Sequence, residues 1–196
     1  MATRVDPATP DEQLPSTTDV VIIGGGIIGV AAALTLAERG LPVVLCEKGQ
    51  IGAEQSSRNW GWCRQQGRDP RELPLIIESL RLWREMHQRT GCDVGFRQCG
   101  ILYLSATAKG IADREAWLEH GRAHGVECHM LSSKEIAELL PGSNQEWPGG
   151  LYTPTDGRAE PAIAAPEMAR AAQRRGAKVF TQTAVRGIET TAGAVS

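Results

Sequence analysis

The 196-residue chain has no excess of positive charge, no paired-cysteine motif and no long unbroken apolar run, and each absence removes a class of function. Lysine and arginine number 21 against 23 aspartates and glutamates, a formal charge of −2. No global basic field therefore draws the chain to nucleic acid or to an acidic membrane. The five cysteines, Cys46, Cys63, Cys92, Cys99 and Cys128, are odd in number and form no C-x-x-C pair. That argues against a disulfide framework and for a reducing compartment. Residues 1–17 carry Asp6, Asp11, Glu12 and three prolines but no apolar core of the kind a secretory signal needs, so a flexible leader is expected. The most apolar stretch, near residues 20–37, is interrupted by glycines, and no transmembrane span is expected. No repeat of solenoid length occurs. His120 and His124 have the spacing of two ligands on a helix but lack a third, so no metal is expected. Cys128 beside His129 lacks the further partners of an activated thiolate.

What is present concentrates between Asp19 and Gly49, DVVIIGGGIIGVAAALTLAERGLPVVLCEKG. Val20–Ile23 is a β-branched run that suits a strand covered on both faces in the middle of a parallel sheet. Gly24, Gly26 and Gly29 fit G-x-G-x-x-G, in which the glycines serve a tight turn, close approach to a pyrophosphate and close helix–strand contact. A helix follows over 28–39, its free amides and positive dipole end aimed at the phosphates, and Gly40 is placed to stop it. A second buried strand, 43–46, ends in Glu47, about 20 residues beyond the glycines, where a carboxylate can accept ribose hydroxyls.

Residues 52–67, GAEQSSRNWGWCRQQG, have neither helical nor strand periodicity and are dense in hydrogen-bond formers. They read as a long functional loop suited to a ligand that extends past the pyrophosphate, such as the ribityl chain and ring of a flavin. Arg58, Arg64 and Arg68 stand in or next to it; each could face a flavin or a substrate carboxylate, or pair with Glu54, Asp69 or Glu72. Helices are predicted from Asp69 to about Gln88, over 111–124, after the Ser132–Glu135 capping box, and over 161–175. Strands are predicted over 96–105, 151–153 and 178–183.

Three segments in this order and spacing carry a family resemblance: the Asp19–Gly49 block, the loop SSRNWGWCRQQGRD, and LYTPTDGRAEPAIAAPEMARAAQRRGAKVFTQTAVRGIE. The chain resembles the D-amino acid oxidase, glycine oxidase and sarcosine oxidase family of flavoenzymes. The resemblance implies an α/β fold, a Rossmann-like FAD-binding domain with a parallel sheet interrupted by a mainly antiparallel α+β substrate domain. The expected division is 18–92 and 151–196 for the FAD-binding part and 93–150 for the substrate part. Members continue beyond this length, so the chain is expected to be a truncated first half. The implied cofactor is FAD, with Gly24, Gly26 and Gly29 at the pyrophosphate turn, Glu47 at the ribose, and Ile27, Ile28 and Lys48 as further cofactor-binding residues. Ser56, Ser57, Arg58 and Asn59 match the loop touching pyrophosphate and flavin, and Val185 the residue whose backbone meets the adenine. Arg64 is the candidate for the substrate; no catalytic acid or base can be named.

The implied reaction is oxidation of the C–N bond of a small amino acid or secondary amine by hydride transfer to the flavin. The sequence leaves the electron acceptor open among oxygen, a quinone and another protein. A flavoprotein acting on a 2-hydroxy acid or another C–OH substrate, and a non-catalytic dinucleotide-binding fragment, remain alternatives. A cytoplasmic location is expected, with peripheral contact at the inner membrane left open.

Overall fold

The computed structural model describes residues 5–195. In chain order its elements begin β1 (Val20–Ile23), α1 (Ile27–Glu38), β2 (Val43–Cys46), β3 (Trp62–Cys63), α2 (Leu73–Thr90) and β4 (Ile101–Ser105). They continue with α3 (Ala108–Ala123), β5 (His129–Ser132), α4 (Ser133–Leu139), β6 (Gly149–Thr153) and β7 (Gly157–Arg158). The last are α5 (Pro161–Arg174), β8 (Lys178–Phe180) and a short hairpin of β9 (Thr190–Thr191) and β10 (Ala194–Val195). The chain forms two compact units: one takes the chain up to Gly61, Met86–Gly95 and the chain from Glu160 on; the other takes Trp62–Glu85 and Phe96–Ala159.

In the first unit, β1, β2 and β8 form a parallel sheet in the order β1-β2-β8. The β-branched and leucine run of β2 is buried throughout because it is the central strand. The expectation that β1 lies mid-sheet is corrected: it is the edge strand here, and alternate residues face solvent, with Val21 54% and Ile23 58% exposed. Their register partners Val44 and Cys46 belong to a buried cluster with Phe180, so the sheet's apolar face runs from covered to open across its width. α1 and α5 pack against each other and on the sheet. Small side chains make this close packing possible: Ala33 and Ala37 on α1, and Ala164, Ala165, Ala169, Ala171 and Ala172 on α5 are all buried.

Residues 5–17, within the leader expected to be flexible, are instead fastened to α5 and β8 between Asp6 and Asp11. Asp11 donates its amide to the Val179 carbonyl at 2.8 Å and accepts the Val179 amide on its side chain at 2.8 Å. Gln173 and Lys178 reach the same carboxylate at 3.0 Å each, and Ala8 is buried. Polar composition suggested a solvated tail, but these carboxylate and carbonyl groups are satisfied by partners more than 150 residues away.

The second unit is built on an antiparallel sheet in the order β4-β6-β5. Its core joins Leu118 of α3, Val126, Cys128 and Leu151, with Ile77, Trp117 and Met130 packed against them. α4 starts at the predicted capping box: the Ser132 hydroxyl accepts from the Glu135 amide while Glu135 accepts from Ser132. Three expectations shift. The strand predicted over 96–105 is shortened to β4, because Gly100 sits at φ +71° and only Arg97 before it makes a bridge, to Arg158. The strand predicted at 151–153 is the centre of this sheet, and β3 pairs with β7, so residues 62–85 and 151–159 group with the second unit. β8 ends at Phe180, before the 183 expected, and Gln182 takes φ +53°. Pro74 falls in the first turn of α2, where its missing amide has no helical partner to lose.

Candidate functional site

The β1–α1 turn is made by glycines that leave different amounts of room. Gly24 ends β1 at φ +108°, a conformation costly for any residue with a Cβ, and its amide donates to the Cys46 carbonyl at 2.8 Å. Gly26 is the N-cap of α1. A Cβ on Gly29 would fall on the Gly24 carbonyl oxygen, so α1 begins this close to β1 only with glycine there. The first turn of α1 contains no acidic side chain. The Ile27 amide donates to the Ser56 hydroxyl at 2.8 Å, whereas the amides of Gly26, Ile28 and Gly29 meet no acceptor among the described residues. The helix start thus presents free donors and an uncompensated positive dipole end.

Beside these donors lies a cavity of about 570 Å³. Of the residues expected at the site, it is lined by Gly24, Gly26, Ile27, Ile28, Gly29, Ser56 and Asn59. Ile22, Ile23, Ala32 and Gln55 also line it and were missed, because nothing in a strand or helix pattern marks which apolar residues end at a pocket mouth.

Glu47 follows β2 and is bound to the turn. One carboxylate oxygen accepts the Gly25 amide at 2.7 Å, and the other accepts the Gly49 amide at 2.6 Å. Each oxygen keeps a further lone pair for a ligand hydroxyl. Gly25, outside the spaced motif, is as constrained as its neighbours: a Cβ there would lie 2.9 Å from Glu47 Cβ and against the tip of Ile51. The unbroken run of three glycines was the available signal, but the reason for Gly25 lies in residues more than twenty positions away.

The loop after β2 is tied by its own side chains. Asn59 donates to the Gln55 and Ser56 carbonyls at 3.0 Å each and accepts the Gly61 amide at 2.7 Å. Ser57 is buried and donates to the Glu54 carbonyl at 3.3 Å. Arg58 forms an exposed pair with Glu54 at 2.9 Å, which contributes little to stability. Lys48 is exposed, and Val185 is exposed in the irregular segment after β8. Glu47, Lys48, Ser57, Arg58 and Val185 are not among the cavity's lining residues.

Arg64 lies in the second unit, its guanidinium 5.9 Å from the Trp62 ring centroid and 5.7 Å from that of Tyr103, with one nitrogen donating to the Gln66 carbonyl. Arg68 pairs loosely with Glu72 at 3.9 Å. His120 and His124 are exposed, and no group of three or more His, Cys, Asp or Glu side chains suited to a metal ion occurs among the described residues. Among those residues no helix is long and apolar enough to cross a membrane.

A family model described as FAD dependent oxidoreductase matches residues 19–196. The chain belongs to this family. It is 34% identical over 182 residues to human mitochondrial sarcosine dehydrogenase, covering 91% of this chain and 20% of that protein. It is 31% identical over 175 residues to glycine oxidase of Geobacillus kaustophilus, covering 85% of this chain and 46% of that enzyme. Among solved structures, L-amino acid deaminase from Proteus myxofaciens in complex with anthranilate superposes with a TM-score of 0.95 at 32% identity, over 100% of this chain and 45% of the deaminase. The chain thus spans less than half the length of each of these relatives. FAD is the family's cofactor.

Proposed function

We propose that the protein oxidises the C–N bond of a small amino acid or secondary amine, and that this chain supplies the grip on the adenosine-diphosphate half of FAD. The carrying observation is the Glu47 carboxylate bonded to the Gly25 amide beside a helix start whose Gly26, Ile28 and Gly29 amides are free and face a cavity. The site fits a diphosphate next to a ribose: donors for the anion, an acceptor for the sugar hydroxyls, and no side chain at position 24 or 29 to obstruct either. In this reading Ser56 and Asn59 fix the loop on the far side of the diphosphate. Lys48, Ser57, Arg58 and the Val185 backbone complete the contacts to ribose, flavin and adenine. Glu47 disfavours a 2′-phosphate by charge.

When bound, FAD supplies the two-electron acceptor that no side chain provides. The chain's own part is to bind, to orient and to exclude water. Arg64, whose guanidinium has no ion-pair partner among the described residues, is the proposed recogniser of a substrate carboxylate. The amine and amino acid chemistry of the sarcosine, glycine and L-amino acid relatives supports this substrate class.

The test is titration of the purified chain with FAD, followed by fluorescence and by competition with ADP. Saturable binding that ADP displaces is expected, and a chain that stays colourless after FAD addition overturns the reading. Anaerobic addition of N-methyl amino acids, free amino acids and 2-hydroxy acids to the flavin-loaded protein then distinguishes amine from alcohol oxidation by which class bleaches the flavin.

A further inference from the structure

Asp156 belongs to the turn between β6 and β7 and has no exposed surface. An ionised side chain in such a place is costly unless its oxygens are fully engaged. Its Oδ1 accepts the Gln65 amide at 2.7 Å and the Gln65 side-chain nitrogen at 3.1 Å, and its Oδ2 accepts the Gln66 amide at 3.1 Å. The Gln65 side chain also donates to Thr155 in the same turn at 3.1 Å. Two consecutive backbone amides, 91 and 90 residues distant in sequence, are therefore clamped by one carboxylate.

Those amides immediately follow Arg64. Burial is the largest influence on Asp156 and raises its pKa, opposed by the Gln65 and Gln66 hydrogen bonds and by the positive charge of Arg64. Arg64 in turn lies across the Trp62 and Tyr103 rings and donates to the Gln66 carbonyl, which is part of the clamped backbone. Glycine at 67 keeps the Tyr103 ring close, since a Cβ there would sit 2.9 Å from it. A buried ion is an expensive way to pin the buried Gln65–Gln66 backbone when a neutral side chain could make the same turn.

We infer that Asp156 is a positioning residue that holds the 64–66 backbone so that the Arg64 guanidinium is fixed over Trp62 and Tyr103, preorganised for a ligand carboxylate. The inference rests on the proposed role of Arg64 and adds the residue that sets its geometry. Preorganisation of this kind lowers the entropy lost when a carboxylate docks.

The experiment uses the FAD-loaded full chain, with benzoate as a carboxylate probe that carries no oxidisable amine, and calorimetry as the readout. Arg64→Ala and Asp156→Asn are each expected to weaken benzoate binding about tenfold or more, the scale of a lost charge-assisted contact. FAD affinity is expected to stay within about twofold in both variants. In the Arg64→Ala background Asp156→Asn is expected to add nothing further, since the two residues act through one contact. Nitrogen-15 spectra should show the Arg64 side-chain Nε signal sharp in the parent and broadened in Asp156→Asn. Should Asp156→Asn fail to fold, Gln65→Met removes the Gln65 side-chain bonds to Asp156 and Thr155, leaves both backbone bonds of the clamp, and is expected to weaken benzoate about threefold. Additive losses, or an unchanged benzoate affinity in the clamp variants while Arg64→Ala loses it, overturn the inference. A parent that binds FAD but not benzoate overturns it while leaving the cofactor reading intact; binding of neither overturns both.

Discussion

Gly29 has no space for one methyl group, because the Gly24 carbonyl oxygen occupies it and backbone cannot rotate away as a side chain can. Gly29→Ala is therefore expected to cost about 1–3 kcal/mol of stability, the scale of overpacking, and to weaken FAD binding as the helix start shifts from its strand. Chemical denaturation and FAD titration of the variant check both; a variant with parental affinity would show that the turn tolerates the displacement. Glu47 is a different kind of constraint. In Glu47→Gln one of the two amides, Gly25 or Gly49, must face an NH₂ donor in place of an oxygen. FAD affinity is expected to drop by about 1.5–3 kcal/mol, tenfold or more, measured by the same titration. That Gly24, Gly26 and Gly29 form a strand-to-helix turn, with Glu47 following the next strand, was legible because the motif fixes their spacing. Gly25 and Ile51 were not, since what constrains them is a contact closed only when β2 lies beside the turn.

At the scale of elements, helices were readable to within a few residues where a cap signal marks the start. The predicted starts at Asp69 and Ser132 are capped by their side chains, and α5 begins at Pro161 as expected. Strand position was less readable. The Val20–Ile23 run specifies a strand, but whether it lies mid-sheet or at an edge depends on neighbours that the run itself does not encode. The leader was least readable of all. Its Asp11 covers the β8 edge by bonding both backbone groups of Val179, which blocks that edge against further pairing. The Asp11 carboxyl is subject to desolvation, which raises its pKa, but hydrogen bonds from Gln173 and Val179 and the charge of Lys178 together bring it below the ordinary 3.8. A lowered folded-state pKa means that this contribution is complete above the unfolded value and is lost as pH falls through the folded one. The leader should thus loosen only below about pH 3.8. Amide spectra should show the Asp11 and Val179 signals moving together in that range. Asp11→Ala should abolish that transition and cost about 1–3 kcal/mol, and a leader equally protected from protease in that variant would refute the clasp.

Across the whole molecule, each of the two units is assembled from separate stretches of the chain. The chain passes between them at Gly61–Trp62, Glu85–Met86, Gly95–Phe96 and Ala159–Glu160, and the second of these crossings lies inside α2. Neither unit is a continuous segment, so neither can unravel without freeing chain ends of the other, and a single cooperative transition is expected. The cysteines provide a built-in readout. All five are free thiols; Cys46 is buried in the first unit and Cys128 in the second, while Cys99 is exposed. Burial pushes the Cys46 and Cys128 thiols up, and burial first, then the nearby Asp156 and Cys99, pushes Cys63 up to about 12. At pH 8 that leaves about one Cys63 in ten thousand as the reactive thiolate. Labelling with a thiol reagent in native buffer should therefore modify Cys99 first and leave Cys46, Cys63 and Cys128 intact by peptide mass. With rising denaturant, Cys46 and Cys128 should become reactive at the same midpoint, because the interleaved chain couples their units. Two separated midpoints would mean that each unit closes its own core independently despite sharing a helix.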